Sequence, residues 1–210
     1  IMPSLVGSEM CIRDRIDSVN GALALRSQIE KIIDQIWEEG FDGIYFIGIG
    51  GTYASSMQVE VYMRGRSKLP VFVENAAEFL TTGNKKFTNK SVVIISSVSG
   101  NTKEMVELVD RVHEKGAKVF SFIDNPGTIL TQPNKQDYLI VYPMNEQLKF
   151  YMVANYLMYK NGEFDDYDRY NKEMEANLAD VLVQVEKDSD EWAYDLSLIH
   201  ISEPTRLGMI

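Results

Sequence analysis

Leu25, Ile29, Ile32, Ile33 and Ile36 recur at three- and four-residue intervals, the period of an amphipathic helix, and Gly40 after Glu39 marks its end. The pattern then shortens. The apolar run 44–47 ends in glycines and reads as a buried strand. A helix is predicted over 52–64, with Met57, Val61 and Tyr53 on its inner face and Gly65 as its stop. Strand two is expected at 71–73 after Pro70, and Asn75 with Glu78 three residues later has the form of a capping box opening a short helix. Residues 91–96 read as strand three and 101–115 as a helix closed by Gly116, with Met105, Leu108, Val109 and Val112 as its buried stripe. Strands four and five are expected at 117–123 and 138–142. Two helices, 145–161 and 166–188, follow, parted by Asn161 and Gly162.

Five short apolar strands alternating with helices predict an α/β fold: a five-stranded parallel sheet covered on both faces, doubly wound like flavodoxin, with a C-terminal helical extension. Short right-handed connections leave mainly the orders 2-1-3-4-5 and 3-2-1-4-5. The first is favoured because it brings the two polar loops described below to one crevice.

Composition narrows the function classes. Of the 210 residues, 21 are Lys or Arg and 31 are Asp or Glu, a net charge of −10. Such a balance argues against general binding to nucleic acid or anionic membrane. A single cysteine excludes a disulfide framework and a multi-cysteine metal site, and no apolar run approaches the roughly 18 residues of a membrane span. A cytoplasmic protein without cofactor or metal is expected. The ends differ in character: 1–15 (IMPSLVGSEMCIRDR) and 196–210 (LSLIHISEPTRLGMI) resemble translated sequencing-adapter sequence rather than a signal peptide or a periodic element. Setting them aside leaves residues 16–195, still at −10, with His113 as the one histidine and no cysteine.

The first polar loop is Gly48-Ile49-Gly50-Gly51-Thr52-Tyr53-Ala54-Ser55, after strand one. The second is Ser96-Ser97-Val98-Ser99-Gly100-Asn101-Thr102, after strand three. In the order 2-1-3-4-5 both border the switch-point crevice where open α/β sheets bind ligands. Glycines let backbone N–H groups approach, helix N-termini supply free donors and partial positive charge, and hydroxyls add more. Each hydrogen bond to a charged oxygen contributes roughly 1.5–3 kcal/mol, so four or five can hold a phosphate without a cation. Ser99 or Asn101 could equally be a plain helix cap, and the glycine loop a plain tight turn; the pair at one crevice favours a ligand. No Gly-Lys pair occurs, which removes a P-loop. A dinucleotide fold would want a small residue where Tyr53 stands, although Glu74 sits where a ribose-binding acid would.

At these residues, over about 29–159, the sequence resembles the sugar isomerase (SIS) domain, the phosphosugar-binding module of aldose–ketose isomerases. GGTYASS resembles the family's first loop and SSVSGNT its S-x-S-G-x-T loop, although Val98 replaces a frequent glutamine. The resemblance implies a phosphosugar site at Gly50, Gly51, Thr52, Ser97, Ser99, Gly100, Asn101 and Thr102. IYFIGIGG, Glu78-Phe79 and NEQLKFYMVANYLMYKN make the layout similar to fructosamine deglycases, two-SIS enzymes that release a sugar 6-phosphate and an amine. The expected organisation is then an N-terminal helix at 16–42, an SIS domain at 43–162 and a helical connector at 163–195 to a second SIS half. That half would carry the catalytic glutamate and histidine, leaving this chain inactive alone. Homodimerisation and a sugar-phosphate partner are implied, with no nucleic acid or membrane. Glu78 is the one carboxylate considered near the crevice, with capping its simpler role. A non-catalytic sugar-phosphate sensor and a dinucleotide-binding domain remain as alternatives. His113 is expected to be solvated or to compensate the helix dipole. Tyr151, Tyr156 and Tyr159 are expected to pack a core or subunit interface, and Glu163, Asp165, Asp166 and Asp168 to form a solvated helix start.

Overall fold

The computed structural model describes residues 16–202, which divide into two units, 21–167 and the flanks 16–20 with 168–202. In chain order the elements are α1 (16–23), α2 (Arg26–Glu39), β1 (Gly43–Gly48), α3 (Gly51–Arg64), β2 (Val71–Asn75), α4 (Ala76–Thr82), β3 (Ser91–Ser97), α5 (Lys103–Glu114), β4 (Lys118–Ile123), β5 (Tyr138–Val141), α6 (Glu146–Lys160) and α7 (Tyr167–Ser202). All five strands are parallel, in the order β2-β1-β3-β4-β5. The favoured order is therefore the observed one.

The central strands β1 and β3 are buried along their whole length, which is why they read as unbroken apolar runs. Successive side chains point to opposite faces. Tyr45, Ile47, Val93 and Ile95 share a core with Met105, Leu108, Val109 and Val112, the stripe of α5 foreseen from its spacing. On the other face Phe46 and Phe122 meet Phe150 of α6 edge-on, with ring centroids 5.3 and 6.1 Å apart. Tyr159 stacks on both Tyr156 and Tyr167, and Tyr151 lies edge-on to Tyr62. These tyrosines pack against one another within 21–167.

Two helices differ from expectation. The inner face of α3 is Ser56, Val59 and Met63, whereas Met57 and Val61 are 41% and 66% exposed. This helix has apolar residues on both sides, so spacing alone does not choose the face. Ser56 turns inward because its hydroxyl donates to the Thr52 carbonyl at 2.9 Å, a partner one turn back that lets a polar side chain be buried. The last helix runs to Ser202 rather than ending at 188, so 196–202 are helical although their sequence shows no clear period. The segments 1–15 and 203–210 lie outside the described residues.

The acidic stretch before α7 is also more than solvated. Glu163 accepts from the Ser67 hydroxyl at 2.6 Å and the Lys68 N–H at 2.8 Å, fixing the turn that leads into β2. His113 does end its helix, and there its Nε2 lies 3.1 Å from Asp137 Oδ2, which also accepts the Val119 N–H at 2.7 Å. Among the described residues no helix is long and apolar enough to cross a membrane, and no cluster of three or more His, Cys, Asp or Glu could hold a metal.

Candidate functional site

The connections of β1 and β3 leave the sheet in opposite directions, to α3 and α5 on opposite faces. Between their carboxyl ends opens a cleft of about 680 Å³, lined by Gly51, Thr52 and Ser55 from one loop and Ser96, Ser97, Ser99 and Thr102 from the other. Ile49, Val98, Met105, Asn125 and Glu146 complete the wall. Topology thus joins two segments some fifty residues apart, as the switch-point rule requires.

The first loop turns sharply enough that Gly48 is indispensable: a Cβ there would lie 2.6 Å from the Thr52 carbonyl carbon and the Tyr53 nitrogen. The Thr52 hydroxyl accepts from the Ile49 N–H at 3.0 Å and donates to the Ile49 carbonyl at 3.1 Å, closing the turn on itself. In the second loop the Ser97 hydroxyl accepts the Gly100 N–H at 3.1 Å, while the Ser99 and Thr102 hydroxyls lie 3.1 Å apart. Asn125 donates to the Val98 carbonyl at 2.7 Å and braces the loop from beyond β4.

The helix N-termini at the cleft lack the side-chain cap that α4 has, as do those of α2 and α6. At α4 the Asn75 side chain accepts from the Ala77 and Glu78 N–H groups at 3.0 and 3.5 Å, so that N-terminus is satisfied internally. At α3 the cap residue is Gly50 and at α5 it is Thr102, and neither supplies a side-chain cap. Two helices therefore present uncapped N-termini, with their partial positive charge, to one cleft. The capping role considered for Ser99 and Asn101 is not what these residues do. Ser99 accepts from Asn101 N–H at 3.3 Å, within the turn, and Asn101 Oδ1 accepts the Ile129 N–H at 2.9 Å.

Of the residues singled out in sequence, Gly51, Thr52, Ser97, Ser99 and Thr102 line the cleft. Gly50 adjoins it as the cap of α3. Gly100 and Asn101 are not in its lining and instead hold the turn at 129–130. Gly100 accepts the Leu130 N–H at 3.0 Å and, at φ +63°, leaves a Cβ only 2.1 Å from the Thr128 hydroxyl. Glu78 is exposed on α4 and is not in the lining. Glu74, the acid wanted by a dinucleotide reading, accepts from the Asn84 amide at 2.6 Å and is not in the lining either.

Two polar lining residues, Asn125 and Glu146, come from outside the two loops read in sequence, and Ser96, which opens the second loop, was not among its expected phosphate contacts. Ser96 is 1% exposed and its hydroxyl has no partner within the protein. Glu146 arrives from the β5–α6 connection, where Met144 and Asn145 both adopt left-handed conformations at φ +60° and +52°. Such non-glycine residues are uncommon and cost of order 1–3 kcal/mol each. A buried ion pair holds them. Lys149, with no exposed surface, donates to Asp124 Oδ1 at 3.3 Å and the Tyr142 carbonyl at 2.9 Å, while Asp124 Oδ2 accepts the Met144 N–H at 2.9 Å. Burial pushes the Lys149 ammonium below its ordinary range, and Asp124 pulls it back up.

Fold and cleft together define a doubly wound α/β module with a polar cleft at its switch point. Residues 41–160 match the family model described as SIS domain, and the chain belongs to that family. It is 24% identical over 165 residues to the glutamine–fructose-6-phosphate aminotransferase [isomerizing] of Fusobacterium nucleatum, covering 71% of this chain and 27% of that protein. The enzyme of the same name from Methanococcus maripaludis is 30% identical over 105 residues, 50% of this chain and 17% of its own length. Among solved structures, a protein assigned as a phosphosugar isomerase from Salmonella typhimurium LT2 superposes with a TM-score of 0.73 at 23% identity, over 80% of this chain and 53% of that one. The E. coli CFT073 protein c3406, solved in complex with a sugar phosphate, superposes at 0.56 with 16% identity, over 80% and 99%. These structural likenesses establish the fold. The chain spans about a quarter of the Fusobacterium relative and about half of the Salmonella one.

Proposed function

We propose that the cleft binds the phosphate of a sugar phosphate, and that the chain is the phosphosugar-binding half of an aldose–ketose isomerase of the deglycase type. The observation that carries this is the meeting of two uncapped helix N-termini with the Thr52, Ser97, Ser99 and Thr102 hydroxyls at one switch point. Among the described residues no Lys or Arg lines the cleft, so phosphate would be held by backbone N–H groups and hydroxyls. The sugar-phosphate complex of the E. coli structural neighbour supports the ligand class.

Isomerisation needs a base and a proton donor for the ring oxygen, each within hydrogen-bond reach of the sugar. The described residues bring no His to the cleft. Glu146 is the carboxylate in the lining and is given a binding role below; the base and acid are assigned to a second SIS half, with this chain supplying phosphate anchorage in a cytoplasmic homodimer.

Calorimetric titration with fructose 6-phosphate tests the binding claim. Saturable binding is expected, weakened at least tenfold in the Ser99→Ala/Thr102→Ala variant, which removes both hydroxyls of that pair. Equal affinity of both proteins would overturn the site. Release of sugar phosphate from fructoselysine 6-phosphate by this chain alone would overturn the assignment of the base elsewhere.

A further inference from the structure

The cleft holds a charge that phosphate binding does not explain. Among the described residues its sole ionisable lining residue is Glu146, a carboxylate, in a place whose backbone is arranged to attract an anion. The nearby ammonium of Lys149 does not release it from that conflict, because Lys149 has no exposed surface and is engaged by Asp124 and the Tyr142 carbonyl. Lys149 feels the Glu146 charge through space, but its hydrogen bonds go to Asp124 and the Tyr142 carbonyl, so Glu146 Oε1 keeps an open acceptor.

The ordinary role for an acid in the first turn of α6 is to favour the helix dipole from solvent. Glu146, half-buried at the first position of α6, is placed for that role but not for that role alone. Its Oε1 is buried and has no hydrogen-bond partner within the protein. A buried acceptor left unpaired is unfavourable unless a ligand supplies the donor. The Ser96 hydroxyl is a second buried, unpartnered polar group in the same wall. The fold also maintains two consecutive left-handed residues, Met144 and Asn145, and a buried ion pair to deliver this carboxylate.

We propose that Glu146 is a specificity-determining residue that receives the ammonium of an amine-bearing sugar phosphate. The ligand is then zwitterionic: its phosphate lies at the N-termini of α3 and α5, and its cationic nitrogen lies against Glu146. This rests on the phosphosugar reading of the cleft and assigns to one residue the recognition of the amine that a deglycase substrate carries. Asp124 and Lys149 are positioning residues, acting through the 142–146 loop.

The test compares two probes that differ in one group, 1-amino-1-deoxyfructose 6-phosphate and fructose 6-phosphate, by calorimetric titration of the full chain. The wild type is expected to prefer the amine by about tenfold, equivalent to about 1.4 kcal/mol. Glu146→Gln, nearly isosteric, should reduce that preference to within about twofold while binding fructose 6-phosphate as well as or better than wild type. That retained affinity also reports a folded site. Glu146→Asp should keep the sign of the preference. Equal wild-type affinity for both probes, or an equal loss of both in Glu146→Gln, would overturn the amine assignment and leave the phosphate site standing. Failure of the wild type to bind either probe would overturn the phosphosugar reading, and this one with it.

Discussion

A hydroxyl donates one hydrogen bond, and that limit decides what the cleft offers. Ser99 and Thr102 lie 3.1 Å apart, so one of their two protons is spent between them and the other is free for a ligand oxygen. The Thr52 proton already goes to the Ile49 carbonyl, and a ligand must compete for it. Gly100 acts one layer back. Its positive φ and the proximity of Thr128 exclude a side chain, so Gly100→Ala should lower stability by about 1–3 kcal/mol, read from urea denaturation. Ser97, Ser99 and Thr102 were legible in the sequence because they share one short loop of known chemistry. Glu146 was not, for it stands some fifty residues from that loop and enters through strand order and a strained connection. Its signal in sequence was slight: an acid opening the helix after the last strand.

At the scale of elements, α6 is fastened by two ion pairs of different kinds. Lys149–Asp124 is buried, and removing one partner strands the other charge. Lys149→Ala should therefore cost about 3–5 kcal/mol in denaturant unfolding, whereas Lys149→Met, which keeps the stem, should cost less. On the outer side Asp34 of α2 accepts from Lys160 at 2.8 Å and from the Tyr156 hydroxyl at 2.9 Å. The Lys160 hydrogen bond, opposed by burial and aided by Tyr156, holds the Asp34 carboxyl below its ordinary 3.8. A carboxylate with a depressed folded pKa contributes stability that is complete above the unfolded value and lost as pH falls through the folded one. Wild type should thus exceed Asp34→Asn in Tm near pH 7, and the gap should close on acidification below about pH 4. Equal gaps at both pH values would contradict this. The sheet order and the α5 stripe were legible because buried parallel strands and a strongly one-sided helix leave few alternatives. The inner face of α3 was not, since its apolar residues surround it and Ser56 takes a core place through a hydrogen bond to Thr52.

The whole molecule carries −10, yet its proposed ligand is an anion. Long-range attraction cannot then select the site, and binding rests on donors within a few ångströms. The molecule contains its own control. A second cleft of about 360 Å³ is lined by Lys85, Arg111 and Lys115, where net charge alone would send a phosphate. Mapping backbone amide chemical shifts while adding fructose 6-phosphate separates the two. If the N-termini of α3 and α5 hold the phosphate, the largest shifts will fall on residues 50–53 and 99–104. Shifts concentrated on 80–87 and 111–115, with those two segments unmoved, would contradict the phosphate site at the switch point.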